Sequence, residues 1–145
     1  MICIALPVLA VAASAADGRG DSATIVNSGS TNTRGYVIRL SRSGTASVDP
    51  RDGAAARVAT VTPDLADRLF TALDAGTSLD ALSSGHCAKS ASFGYSIRIQ
   101  YLGASSPDLT CAVGDKEKKL ASLASEVAQA VGLSGHVLRK SPGSD

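Results

Sequence analysis

The stretch Phe93-Gly94-Tyr95-Ser96-Ile97-Arg98-Ile99-Gln100-Tyr101 decides the fold class of this chain. Its large apolar residues stand at every second position, and Gly94, Ser96, Arg98 and Gln100 fall between them. Side chains on an extended strand point alternately to opposite faces, so the pattern predicts a strand over 93–101 with one apolar and one polar face. A sheet polar on one side is the habit of antiparallel pairing. Gly94 inside the pattern predicts a bulge or a close backbone approach.

Beyond this strand, residues 103–107 turn the chain, and 108–113 are expected to return as a shorter strand carrying Cys111, closing a hairpin. The last helix opens after Gly114 with Asp115 as its cap candidate. Leu120, Leu123, Ala124, Val127, Ala128 and Val131 form its apolar stripe, and Gly132 closes it. On the other side, 83–92 reads as a loop and 78–82 as a short helical turn. Thr62-Pro63-Asp64 starts a helix that lines up Leu65, Leu69, Phe70 and Leu73 and ends near Gly76.

Nearer the N-terminus, Tyr36, Ile38 and Leu40 alternate with Val37, Arg39 and Ser41, the period of a half-buried strand. Ser43-Gly44 turns, 45–48 returns, and the breaker cluster Asp49-Pro50-Arg51-Asp52-Gly53 separates it from a third strand over 56–61. Residues 17–33 are rich in Gly, Ser, Thr, Asn and Asp and read as a flexible lead-in, with Ala23-Thr24-Ile25-Val26 as a candidate short strand. The order β-β-β-α-β-β-α predicts an α+β domain over 34–132. It has an antiparallel sheet of about four to five strands with two helices over one face, followed by a tail at 133–145.

Residues 2–13 form an unbroken apolar run, too short to span a bilayer as a helix, and Ala13-Ser14-Ala15-Ala16 follows as an A-x-A-like cleavage site. We therefore expect 1–16 to be a signal peptide, the mature chain to carry no membrane span, and the location to be secreted or periplasmic. Of the three cysteines, Cys3 leaves with such a leader. Cys87 and Cys111 are then an even pair in an oxidising compartment, which reads as a disulfide.

Composition narrows the function classes. Fourteen basic residues against thirteen acidic ones leave a net charge of +1, and aromatics make up 3%. A nucleic-acid binder needs clustered Lys and Arg and, for single strands, stacking aromatics; no such partner is expected.

Several short motifs invite chemistry. Gly18-Arg19-Gly20-Asp21-Ser22 matches the integrin-recognition pentapeptide, although such runs are also ordinary linker composition. His86 beside Cys87, with His136 as another base, suggests a thiol nucleophile, but sequence neighbours on an extended chain point apart. Cys87, Cys111, His86 and His136 show no metal-ligand spacing, so no metal and no cofactor are expected. The carboxylates sit at caps and turns and leave no acid–base pair, so no catalytic residue is nominated. Lys116, Lys118 and Lys119 crowd the first turn of the last helix, where cations are mildly unfavourable, and read as a solvated face or a small anion contact.

Thr31-Asn32-Thr33-Arg34-Gly35-Tyr36, Lys89-Ser90-Ala91-Ser92-Phe93-Gly94 and Ser106-Pro107-Asp108-Leu109-Thr110-Cys111 together resemble a group of small secreted bacterial proteins whose function is unassigned. The most specific part is the pairing of Cys87-x-Lys89-Ser90 with Pro-Asp-Leu-x-Cys. The resemblance implies a bacterial, exported protein with this disulfide, and it carries over no catalytic residue.

The expected function is that of a non-enzymatic exported binding or envelope-associated domain. Its partner would be a protein or an envelope component, met through a surface that includes Arg39, Lys89, Ser90, Arg98 and Gln100. A secreted inhibitor of a hydrolase is the first alternative. A small hydrolase built on the loop around Cys87 is the second.

Overall fold

The computed structural model describes residues 20–32, 34–90, 92 and 94–133. The expected leader, His136 and the tail beyond Leu133 lie outside them, as does Phe93. The chain folds as an antiparallel sheet carrying two helices. Its strands are β1 (Ser22–Asn27), β2 (Tyr36–Ser41), β3 (Thr45–Asp49), β4 (Arg57–Thr60), β5 (Ile97–Tyr101) and β6 (Ala104–Ser105). The helices are α1 (Pro63–Asp74) and α2 (Asp115–Ala130), with 3-10 turns at Leu79–Ala81 and Leu109–Cys111. The α+β class is the one the sequence suggests and the element order follows it approximately, with more strands than expected.

The six strands lie in the order β4-β3-β2-β1-β5-β6. The short strand suggested at 23–26 is thus neither peripheral nor part of a loose lead-in. It runs from Ser22 to Asn27 in the interior of the sheet and pairs with β2 on one side and β5 on the other. Its alternation explains the placement: Ala23, Ile25 and Asn27 are buried, while Thr24 and Val26 are half-buried on the opposite face.

Inward side chains of four strands, among them Ile25, Ile38, Leu40, Val48 and Ile99, are fully buried against Leu69, Phe70, Leu120 and Val127 of the helices. Each such side chain contributes about 1.5–3 kcal/mol when removed from water. The expected stripes of both helices, Leu65, Leu69, Phe70 and Leu73 on α1 and Leu120, Leu123, Ala124, Val127 and Ala128 on α2, are buried. Thr62 caps α1 as its sequence suggests, accepting the Leu65 amide at 3.3 Å, with Pro63 in the first turn.

Three local expectations are corrected. The β5 strand begins at Ile97 rather than 93, because Gly94 and Tyr95 are held by the preceding loop. The Tyr95 carbonyl accepts the Lys89 ammonium at 2.6 Å, and Gly94 N–H donates to Ser90 O at 2.6 Å. The hairpin after β5 is closed by β6 alone, and 108–113 is not a strand. There Pro107 offers no N–H to a ladder, and the Asp108 carboxylate accepts the Thr110 amide at 3.0 Å, which curls the chain into the 3-10 turn that bears Cys111. Finally, Gly114 is the cap of α2 and Asp115 its first helical residue. No helix among the described residues is long and apolar enough to cross a membrane.

Candidate functional site

Strand alternation places one set of side chains on the helices and leaves the other set on a face that no described element covers. Register aligns that outer set into rows. Val58, Ser47, Arg39, Thr24, Gln100 and Ser105 stand opposite one another across all six strands. A second row runs through Asp49, Val37, Val26 and Arg98. Arg39 and Gln100 flank Thr24 on either side, which puts them two strand spacings, about 10 Å, apart.

The face is polar with an apolar centre. Val26 and Val37 sit half-buried side by side, and Val58 is 75% exposed on the edge strand. Arg39 and Arg98 are exposed and form no ion pair among the described residues; Arg98 donates only to the Ser106 carbonyl at 3.3 Å. Three of the residues expected to share a surface, Arg39, Arg98 and Gln100, therefore do share one.

Lys89 and Ser90 are engaged elsewhere. The loop between the 3-10 turn at Leu79–Ala81 and β5 is fastened to the 3-10 turn at Leu109–Cys111 by the Cys87–Cys111 disulfide, with the two Cα atoms 5.4 Å apart. Two residues on, the Lys89 ammonium pairs with the Asp108 carboxylate. Asp108 also accepts the Ile97 amide at 3.2 Å and the Thr110 hydroxyl at 2.8 Å. Burial opposes its charge, but the bonds from Lys89, Thr110 and Ile97 outweigh that and hold the carboxyl below its ordinary pKa.

Two glycines permit the closeness. A side chain on Gly85 would meet Cys111 O at 2.1 Å, and one on Gly94 would meet Ser90 O at 2.4 Å. The close backbone approach expected at Gly94 is thus made by Ser90. The Cys87-x-Lys89 and Asp108-x-x-Cys111 segments meet through paired covalent and ionic links.

This junction bears on the enzyme reading. The Cys87 sulfur is bonded to Cys111, so it offers no thiolate, and His86 beside it is exposed. No group of three or more His, Cys, Asp or Glu that could hold a metal ion occurs among the described residues. Lys116 caps the end of α1, donating to the Ala75 carbonyl and to Thr77 O at 2.6 Å, where a cation complements the helix terminus.

A polar cluster that sequence reasoning missed holds the start of β1. Arg42, in the β2–β3 turn, reaches the Asp74 carboxylate at 2.8 Å and the Tyr101 phenol at 2.7 Å, and its Nε donates to Gly20 O at 2.8 Å. Its guanidinium lies 4.5 Å from the Phe70 ring centroid, and Tyr101 meets Phe70 edge-on at 5.9 Å. Arg42 N–H also donates to Asp21 O at 3.0 Å. The backbone of the Gly20-Asp21-Ser22 part of the integrin-like motif is thereby built into the fold. No local pattern announces this cluster, since its members come from four separate segments.

Comparison with protein-family models, with curated proteins and with solved structures yields no match.

Proposed function

We propose that this chain is an exported, non-enzymatic binding domain whose uncovered sheet face receives an acidic protein partner of the cell envelope or its surroundings. The observation that carries the reading is the pair Arg39 and Arg98, exposed on that face without a carboxylate to neutralise them. The one carboxylate in the two rows, Asp49, stands at the end of the Val37–Val26–Arg98 row. Charge complementarity of this kind steers encounter and selects partners. The half-buried Val26 and Val37 supply apolar area at the centre of the patch, as in the core of an ordinary interface. The apolar leader, the small-residue cleavage site and the disulfide support export.

The test uses the mature chain, residues 17–145, with its disulfide intact. An Arg39→Glu/Arg98→Glu variant keeps the fold, because exposed substitutions change stability by only about 0.5 kcal/mol. Immobilised wild-type protein is expected to retain an acidic protein from the source cell's secreted or envelope fraction at near-stoichiometric yield, and the reversed variant to lose it. Equal retention by both would overturn the reading. A retained hydrolase that loses activity on binding would replace it with the inhibitor alternative.

A further inference from the structure

Antiparallel order brings three loops to one end of the sheet: the β1–β2 connection at 28–35, the β3–β4 connection at 50–56, and the segment leading into β5. They are joined there by hydrogen bonds. Ser28 and Ser96 exchange bonds, with Ser28 N–H donating to Ser96 O at 3.0 Å and Ser96 N–H to Ser28 Oγ at 2.9 Å. Ser30 Oγ and Asn32 N–H both donate to Ser92 O, at 2.9 and 3.1 Å. Arg34 ties the first loop to the second through Asp52 at 2.8 Å.

Between the first and second of these loops lies a groove of about 520 Å³, lined by residues that include Ser28, Ser30, Asn32, Arg34, Gly35 and Arg51. That volume is in the range of small-molecule sites, which are usually mostly apolar. This lining has no apolar, aromatic or acidic side chain; it consists of hydroxyls, amides, guanidiniums and backbone. Gly35 keeps its floor close to β1: a side chain there would stand 2.7 Å from Asn27 O.

Arg51 is the unusual member. It is a non-glycine residue in the left-handed region, with φ of 46°, held there by the Asp49 carboxylate, which accepts its amide at 3.1 Å. Backbone strain of this kind persists where the surroundings impose it, and it gathers at ligand clamps. The Arg51 guanidinium makes no hydrogen bond or ion pair among the described residues, and no carboxylate of the groove competes for it. Arg34, by contrast, is already paired to Asp52.

We infer that this groove binds a small carbohydrate bearing an oxyanion, a uronic acid or a sugar phosphate, with Arg51 taking the acid group, the Asn32 amide meeting the hydroxyls, and Ser28 and Ser30, whose protons go to Gly29 O and Ser92 O, left to accept. A planar guanidinium accepts carboxylate or phosphate in a two-pronged bond. The volume leaves room for a sugar ring beyond the acid. Because no aromatic lines the groove, stacking on a neutral sugar is not available, and the charge must supply much of the affinity.

The experiment is a titration of the mature, disulfide-bonded protein followed by nuclear magnetic resonance. Its arms are glucuronate, glucose 6-phosphate, glucose and inorganic phosphate, and the carboxylate and phosphate arms distinguish the two acid groups. At least one of the two charged sugars is expected to bind saturably, with Kd of about 1 mM or tighter, shifting amides of 28–35 and 50–54. Glucose is expected to be silent. Arg51→Gly removes the guanidinium and also relieves the left-handed strain, so it is expected to weaken binding at least about tenfold while melting no lower than the wild type. Absence of binding by both charged sugars overturns the inference. So does glucose binding as tightly as they do, inorganic phosphate binding as tightly as they do, or Arg51→Gly binding like the wild type.

Discussion

The backbone amide of Gly20 donates a hydrogen bond of 2.9 Å to the phenol oxygen of Tyr101, 81 positions away. The phenol in turn bonds Asp74 at 2.5 Å, and Arg42 closes the circle onto Gly20 O. The start of an interior strand is thus tied to the β2–β3 turn, the end of α1 and β5 together. Gly20 lies four residues beyond the expected cleavage site at Ala16.

Tyr101→Phe keeps the ring against Phe70 and removes only the hydroxyl. It is expected to lower stability by about 1–2 kcal/mol, read as a lower urea midpoint with an unchanged slope. Alkaline pH probes the same group. Burial raises the Tyr101 pKa above its ordinary value of 10.0, and the Asp74 carboxylate adds to the rise. A raised phenol pKa stabilises the fold fully below 10.0 and is lost as pH climbs through the raised value. Wild-type stability is expected to fall above that pH, and Tyr101→Phe to fall less steeply. Tyr36, also raised by burial, keeps the variant's curve from being flat.

Replacing both Cys87 and Cys111 by Ala opens a loop of about 25 residues, and the chain-entropy estimate for that is about 3.5 kcal/mol. Urea unfolding of the variant against the oxidised wild type measures it. Limited proteolysis is expected to cut first within 83–96, the segment the bridge fastens.

Asp108→Asn keeps an oxygen for the Ile97 and Thr110 amides but abolishes the charge that Lys89 meets. Both partners are mostly shielded, with side chains 20% and 28% exposed, so the loss is expected to be about 1–3 kcal/mol at neutral pH. The wild-type carboxyl is held below its ordinary value of 3.8, so its stabilisation is present above 3.8 and disappears as pH falls through the depressed value. Stability curves of the two proteins are expected to converge in acid; a gap that stays constant to pH 2 would refute the assignment.

Gly94→Ala forces a methyl group to within 2.4 Å of Ser90 O, a backbone atom with little room to retreat. The expected cost is roughly 1–3 kcal/mol. Gly53→Ala serves as a contrast: nothing lies within 4 Å, and φ of 84° is its only penalty.

The elements whose signals are local were legible in the chain itself. Alternation placed Ile38 and Leu40 inward with Arg39 outward, and likewise Ile97 and Ile99 against Arg98 and Gln100. The Thr62-Pro63 start of α1 and both helical stripes needed no more than neighbouring residues. The shared face of Arg39, Arg98 and Gln100 followed from the same period of two. The 108–113 segment misled because its apolar residues look strand-like, whereas a side-chain bond from Asp108 to Thr110 bends the backbone.

By itself, then, the sequence determined the class of fold, the helices, the outward residues of the sheet and the cysteine pair, because periodicity, capping and parity are properties of short stretches. Only the tertiary structure decided that β1 lies inside the sheet, that Arg42, Asp74 and Tyr101 converge on Gly20, and that Arg34 and Arg51 share a groove. Those facts depend on which strands pair across long separations. Pairing is chosen by the burial of the whole assembled face rather than by any segment's own pattern.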